Sequence, residues 1–165
     1  METLSPSEYE RLVAEIVDGI SQSAPELSAL SLGWGRTNKV AGASGYSHQI
    51  DVSLVGTGGI FLLECKKWNK RAGVEAVLAL VARASDILSA NPTCTVVATL
   101  VSSVGFTRGA KLVANYYNVK LEHVESAHVY GLQLGRRAQV GVSGGAVLSD
   151  YAEAHVYRNG QRVDG

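Results

Sequence analysis

The segment 51-DVSLVGTGGIFLLECKKW-68 carries two acids, Asp51 and Glu64, and two lysines, Lys66 and Lys67, around a largely apolar stretch. The GTGG motif at 56–59 predicts a tight turn between two antiparallel strands. Because side chains alternate across a strand, Glu64 and Lys66 should share one face. Pairing through the turn should bring Asp51 towards Glu64. The segment therefore predicts a group of charged side chains at the open end of a β-hairpin.

Two readings of these charges remain open on the residues alone. Two neighbouring carboxylates raise each other's pKa unless a cation lies between them. Mg²⁺ prefers oxygen ligands, and a lysine beside it can orient a water or stabilise charge that develops on phosphorus. In the alternative reading Asp51, Glu64 and Lys66 form only a surface ion pair, worth about 0–1 kcal/mol.

A further acid lies on the first predicted helix, over residues 7–23, where apolar residues recur at helical spacing. Ser7 and Glu10 have the spacing of a capping box. At about 100° per residue, Glu10 also lies at the border of the apolar face, whereas Glu8 lies on the solvent side. Glu10 could therefore cap the helix or face inward towards a metal ion or water.

The remaining pattern predicts one α/β domain over residues 1–165, with its core at about 7–124. Its mixed sheet should have helices on both faces, in an order of roughly αβββαβαβ. In the tail, at about 125–165, the pair Asn159-Gly160 predicts a β-hairpin extension. The other predicted elements are strands at 37–41, 48–55, 60–68, 94–101 and 119–124, and helices at 72–90 and 106–117.

Composition limits the classes of function. Hydrophobic residues make up 46% and charged residues 18% of the 165 residues, which indicates a globular chain. The formal net charge is zero, which argues against a generally basic DNA-coating protein but leaves room for a local basic patch. The sequence lacks an apolar stretch of bilayer length and a signal-peptide pattern, and it has two cysteines with no framework, so we expect a cytoplasmic protein without a membrane partner.

The set Glu10, Asp51 and Glu64-Cys65-Lys66, in the order helix, strand, strand, resembles the PD-(D/E)XK nuclease superfamily. The closest resemblance is to Mrr-type restriction endonuclease domains. It comprises the aromatic-Glu pair in SEYERLVAEIV, the glycine-rich loop in GASGYSHQIDV, and the strand and Phe-Thr helix in VVATLVSSVGFTRGAKLVANYYNVKLEHV. Mrr-type domains often have Gln in place of Glu64, and the letters SHQI stand here in place of a Gly-Gly pair, so other restriction-like branches stay open.

The resemblance implies a restriction-endonuclease-like fold and Mg²⁺-dependent hydrolysis of DNA, with Mn²⁺ as a substitute. The metal ligands would be Asp51, Glu64 and the backbone carbonyl of Cys65. Lys66 would position the attacking water, and Glu10 would act through the water shell of the metal. A homodimer would provide two active sites for two strands. The alternative is a noncatalytic module that binds DNA or a partner subunit.

Several further residues near this site are candidates for contact with DNA. Gln49 shares the face of Asp51 and could bind a water or a phosphate, whereas His48 points the other way and is expected to be structural. Trp34 and Trp68 could stack on bases or simply pack. The basic candidates, each of which could equally be a solvated surface residue, are Lys39, Lys67, Lys70 and Arg71.

Overall fold

The structure is a computed structural model that describes residues 4–125 in full and the backbone of 129–135, 152–158 and 161–162. The described elements follow in chain order. They are α1 (Pro6–Ser23), β1 (Ser31–Trp34), β2 (Lys39–Ala41), β3 (Ser47–Gln49), β4 (Val52–Gly56), β5 (Gly59–Lys66), α2 (Val74–Ala90), β6 (Thr95–Ser102), α3 (Arg108–Tyr117), β7 (Lys120–His123), β8 (Val129–Gly135), β9 (Ala152–Arg158) and β10 (Gln161–Arg162).

The central element is a five-stranded mixed sheet in the order β1-β4-β5-β6-β7. Strands β1, β4 and β5 pair antiparallel, whereas β5, β6 and β7 pair parallel. Parallel neighbours need a crossover connection, and α2 and α3 provide the two crossovers. The predicted mixed sheet is therefore confirmed, although the order contains more strands before α2 than predicted.

Helices cover both faces of the sheet, as predicted. Helix α1 packs through Tyr9 and Val13 against β4 and β5, where Leu54 and Leu63 are buried. The Tyr9 hydroxyl donates a 2.6 Å hydrogen bond to the carbonyl of Val124. Helices α2 and α3 cover the opposite face, with a core of Ala76, Leu80, Leu100, Ala110 and Ala114 among its members.

The β4–β5 hairpin forms as the glycine pattern predicts. Gly56 pairs with Gly59, and Val52 pairs with Leu63 at the far end. Gly58 has a φ of +86°, a conformation that favours glycine. Asp51 precedes Val52 and Glu64 follows Leu63. This register therefore places Asp51 and Glu64 at the same end of the hairpin.

The predicted amino-terminal cap of α1 is wrong. Ser5, not Ser7, caps the helix: the Glu8 backbone N–H donates to the Ser5 hydroxyl at 3.3 Å, and the Ser5 backbone N–H donates to the Glu8 carboxylate at 2.7 Å. Pro6 occupies the first helical position, where its missing N–H costs nothing. Glu10 is thereby excluded from the capping role.

The predicted strand at 48–55 is divided into β3 and β4, because the chain changes partners at Ile50 and Asp51. Before this point β3 pairs with β2, and after it β4 pairs with β1 and β5. The Ile50 N–H donates to the Asn38 carbonyl at 3.1 Å, and the Asn38 side-chain amide donates to the Ile50 carbonyl at 2.8 Å. The predicted strand at 37–41 is present as the shorter β2, and β1 is an additional strand that was not predicted.

The change of partners also corrects the predicted faces. In the single strand predicted over 48–55, regular alternation would place Ile50 on one face with Val52 and Leu54. Instead, Val52 and Leu54 lie in the core under α1, whereas Ile50 packs in a separate cluster. The other buried members of that cluster are Ile60, Leu62 and Ile87.

Helix α2 begins at Val74 rather than at residue 72 as predicted, and its apolar residues are not all buried. Leu78 is 43% exposed. The buried residues of α2 are Ala76, Val77, Leu80 and Ile87.

In the tail, β9 and β10 pair antiparallel with Arg158 opposite Gln161, on either side of the predicted Asn159-Gly160 turn. The two turn residues lie outside the described part of the chain. Strand β8 completes this three-stranded sheet by pairing with β9. Within the described residues, the helices are all too short or too polar to cross a bilayer.

Candidate active site

Asp51 is buried directly before β4, one residue beyond the last β4–β5 pair, Val52 with Leu63. Its Oδ2 accepts the backbone N–H of Cys65 at 2.8 Å, so the side chain takes the place of a main-chain acceptor. Its Oδ1 accepts a 3.2 Å hydrogen bond from the Gln49 side-chain amide. The Asp51 carbonyl accepts the Gly35 N–H at 3.0 Å. Two N–H groups therefore orient this carboxylate, and a third holds the Asp51 backbone.

Glu64 is buried at the end of β5 and is bound by two cations. Lys66 Nζ lies 2.8 Å from Oε1, and Arg83 Nη1 lies 2.8 Å from Oε2. The sequence reasoning assigned the compensating charge to a divalent ion. The structure corrects that reasoning in part, because side chains of the protein already neutralise Glu64.

Arg83 is the site residue that the sequence analysis missed. It lies on α2 and reaches across to the end of β5. The buried residues Ala76, Leu80 and Ile87 are spaced so that position 83 falls on the same helical stripe. An arginine inside an apolar stripe was therefore the available signal, because a charge on such a face needs a buried partner.

Glu10 faces the same group of charges from α1. Burial, and then the negative charges of Asp51 and Glu64, raise its pKa above the ordinary value, while Arg36 and Lys66 act in the opposite direction. Glu10 therefore belongs to the charge cluster rather than to the helix cap. The structure brings together all four predicted side chains: Glu10, Asp51, Glu64 and Lys66.

Cys65 follows Glu64 on β5, so its side chain lies on the other face of the strand. Its side chain is buried in the core beneath α1. Burial raises the pKa of its thiol well above the ordinary value, and Asp51, Glu10 and Glu64 act in the same direction. The thiol is therefore a core group, and only the backbone of Cys65 is a candidate for the site.

The donor chemistry of this cluster suits a hard divalent ion. Each Glu64 oxygen accepts one hydrogen bond and keeps a second lone pair, and both Asp51 oxygens accept from neutral N–H groups. Mg²⁺ commonly uses one or two carboxylates and completes its shell with water. Among the described residues, no group of three or more His, Cys, Asp or Glu side chains is arranged as a metal site. The predicted set needs only two such side chains and one carbonyl.

The predicted basic residues lie around this cluster rather than inside it. Lys39 is exposed on β2, directly opposite Gln49 in the β2–β3 hairpin. Lys67, Lys70 and Arg71 follow β5 in the connection to α2. Within the described part of the chain, these four cations form no ion pair with an acid.

The β2–β3 hairpin is fastened to α2 through Asp86. Asp86 Oδ2 lies 2.7 Å from His48 Nε2, and the hydroxyl and N–H of Ser44 donate to the same carboxylate at 2.6 and 2.8 Å. These hydrogen bonds, those of Ser44 first, lower the pKa of Asp86 to about 2. His48 thus has the structural contact that was expected, and the anchor holds Gln49 beside Asp51.

Comparison with known proteins identifies the fold. No family model matches the sequence, and no curated protein matches it. A crystal structure of a protein of unknown function, AF1548, matches with a TM-score of 0.53 and 19% identity over 69% of this chain and 58% of that one. A repair endonuclease from Pyrococcus abyssi matches with a TM-score of 0.51 and 20% identity over 77% and 50%. Can2 from Sulfobacillus thermosulfidooxidans, solved with cyclic tetra-adenylate, matches with a TM-score of 0.52 and 15% identity over 71% and 32%.

The chain therefore spans less than two thirds of the length of each of these structures. At such identities the similarity establishes the fold. The fold is α/β and restriction-endonuclease-like, as the resemblance to PD-(D/E)XK nucleases implied.

Proposed function

We propose that this chain is a divalent-metal-dependent endonuclease that hydrolyses phosphodiester bonds in DNA. One observation carries the proposal: Glu10, Asp51, Glu64 and Lys66 converge at one end of the β4–β5 hairpin. The restriction-endonuclease-like fold supports it, since a structure of this fold is that of a repair endonuclease.

In this proposal Mg²⁺, or Mn²⁺ in its place, is held by Asp51, Glu64 and the backbone carbonyl of Cys65. When bound, such an ion polarises a phosphoryl oxygen and lowers the pKa of a coordinated water. Asp51 is suited to this role because the Cys65 N–H and the Gln49 amide already orient it. Preorganised ligands of this kind do not need to be ordered when the substrate binds.

Lys66 orients the attacking water and stabilises negative charge at phosphorus. Water adds to phosphorus as one P–O ester bond breaks, and the leaving oxygen takes up a proton. Glu10 holds a water by accepting its proton in a hydrogen bond, and burial, followed by the charges of Asp51 and Glu64, raises the pKa of Glu10. Arg83 keeps the Glu64 carboxylate in place from the side of α2.

The proposal includes DNA as the partner and a homodimer as the active form. Within the described residues a single copy offers one such cluster, and cutting both strands of a duplex is simplest with two copies. Lys39 and Gln49 lie on the hairpin beside the cluster, where they can contact the substrate backbone.

The test is cleavage of plasmid and of linear and single-stranded DNA with Mg²⁺, with Mn²⁺ and with a chelator. Asp51→Ala and Lys66→Ala should each lower the cleavage rate about 100-fold or more. Lys111→Ala, which removes an exposed lysine from α3, is the matched control and should cleave at the wild-type rate. Wild-type protein that leaves every substrate intact with either metal would contradict the proposal, and so would variants as active as the wild type.

A noncatalytic DNA-binding or partner subunit is the second candidate. The observation that favours it is that Lys66 and Arg83 already occupy both oxygens of Glu64. Calorimetric titration with Mn²⁺ separates the two candidates. Heat of binding that disappears in Asp51→Ala supports the nuclease, whereas the absence of any Asp51-dependent heat supports the noncatalytic module.

A further inference from the structure

The segment that leaves the site concentrates positive charge around an aromatic residue. Residues 66–71 read KKWNKR, with four cations among six residues, although the formal net charge of the whole chain is zero. The segment starts at Lys66, at the end of β5, and leads towards α2. Of its cations, Lys66 alone is paired with an acid within the described part of the chain.

The backbone of this segment is fixed at several points. The Ser103 N–H donates to the Lys66 carbonyl at 3.1 Å, and the Ser103 hydroxyl donates to the Trp68 carbonyl at 3.3 Å. Beyond the basic residues, the Ala72 N–H donates to the Gly105 carbonyl at 2.9 Å. Anchoring of this kind reduces the entropy lost when a surface binds a ligand.

Trp68 is 40% exposed, and its ring lies among ammonium groups. Lys66 Nζ is 5.3 Å and Lys70 Nζ is 5.9 Å from the ring centroid, both within the range of a cation–π contact. The same Lys66 Nζ lies 2.8 Å from the Glu64 carboxylate. Lys66 therefore connects the indole directly to the carboxylate cluster.

We propose that Trp68, together with Lys67, Lys70 and Arg71, binds an unpaired nucleotide of a single-stranded nucleic acid. An exposed aromatic ring beside cations is the combination that binds single strands, because a base stacks on the ring while neighbouring phosphates meet the cations. A base within a duplex already stacks on both sides, so the indole favours a frayed, looped or single-stranded segment. If the proposed nuclease function holds, this platform places the scissile phosphate next to an unpaired base.

The two tryptophans of the chain make the proposal directly measurable. Trp34→Phe leaves Trp68 as the only indole, and Trp68→Phe leaves Trp34, which is 45% exposed, as the matched control. Titration with oligo-dT, with oligo-rU and with a blunt duplex is followed by tryptophan fluorescence in the presence of a chelator. The single strands should quench Trp68 saturably, the duplex should do so only at higher concentration, and Trp34 should respond weakly.

Affinity measurements with a labelled oligo-dT complete the test. Trp68→Ala should weaken binding about 5- to 150-fold, the range of one stacked base. Tyr116→Ala, which removes an exposed aromatic ring from α3, should bind as the wild type. Lys70→Ala should reduce the slope of log affinity against log salt by about 0.7, and Lys111→Ala should not change it. Circular dichroism of each variant checks that the fold is kept, and Trp68→Phe should recover part of the lost affinity.

Four results would overturn the proposal: no quenching of Trp68 by single strands, equal quenching by the duplex, wild-type affinity in a folded Trp68→Ala, or binding of anionic lipid vesicles in preference to DNA. Tight binding of oligo-rU would support it and identify RNA as an accepted strand. Because the chelator removes any metal ion, these readouts do not depend on cleavage. A wild-type protein without nuclease activity would therefore leave this inference standing, and a failed titration would leave the nuclease proposal standing.

Discussion

Replacing Arg83 by methionine tests the electrostatic reading of the site. Removing one partner of a fully buried ion pair costs about 3–5 kcal/mol, whereas a surface pair is worth about 0–1 kcal/mol. The Glu64 side chain is 10% exposed and the Arg83 side chain 34%, and Lys66 remains on the other oxygen. An intermediate loss of about 1.5–3 kcal/mol in the free energy of unfolding follows, the usual range for a hydrogen bond between charged groups.

Urea unfolding of wild type, Arg83→Met, Glu64→Gln and the double variant gives the coupling between the two side chains. The double variant should lose less than the sum of the single losses, because Gln leaves no buried charge for Arg83 to compensate. Arg83→Lys is the control that keeps the charge. A loss below about 0.5 kcal/mol, or losses that add within about 0.5 kcal/mol, would refute the reading.

The same variant separates stability from metal affinity. Mn²⁺ competes with Arg83 for Glu64, so Arg83→Met should bind Mn²⁺ more tightly than the wild type in a calorimetric titration. Excess Mn²⁺ should then reduce the stability difference between the two proteins, since a ligand stabilises the state that binds it. Weaker Mn²⁺ binding by Arg83→Met would contradict the competition.

Three further outcomes are expected. Tyr9→Phe leaves the Val124 carbonyl buried without its donor and should lower the free energy of unfolding by about 1–3 kcal/mol in urea, whereas an unchanged value would refute the role of this hydrogen bond. The pKa of Glu10 is raised above its unfolded value of 4.5, so the stability of the wild type should decline as the pH rises from 4.5 through the folded pKa. Glu10→Gln should lack this decline and should melt at a higher temperature than the wild type at pH 7. A lower melting temperature of Glu10→Gln at pH 7 would contradict this expectation. The pKa of Asp86 is lowered from 3.8 to about 2, so the stability that the ionised Asp86 contributes to the fold is present above about pH 4 and disappears towards pH 2. Asp86→Asn should lack this loss of stability between about pH 4 and pH 2 in acid unfolding. Identical acid unfolding of the variant and the wild type would contradict the role of Asp86 as an anchor.

Local patterns were sufficient for the hairpin that carries the site. The glycines at 56–59 fix the turn, and the turn fixes the register, so the approach of Asp51 to Glu64 could be predicted. The cap of α1 was a closer choice, because Ser5 and Ser7 each have a glutamate three positions on. Pro6 decides between them, since it suits the first turn of a helix that begins directly after Ser5.

The division of the predicted 48–55 strand had no local signal. It depends on Asn38, which binds both the N–H and the carbonyl of Ile50 from twelve residues away. Arg83 is an intermediate case. Its place in the apolar stripe of α2 was visible, but its partner follows only from the crossover of α2 over β5, which is a tertiary feature.

The charges of the site are not fully balanced by the protein. Three acids converge, yet both cations that make direct contacts bind the same one, Glu64. Within the described residues, Asp51 receives hydrogen bonds only from neutral groups. Burial of Glu10, together with the negative charges of Asp51 and Glu64, outweighs the effect of Arg36 and Lys66 and raises the pKa of Glu10. Further positive charge should therefore be favourable beside Asp51, where the proposed ion would also meet Glu64 and the Cys65 carbonyl. A divalent ion suits this position because it brings two charges in a small volume without another side chain.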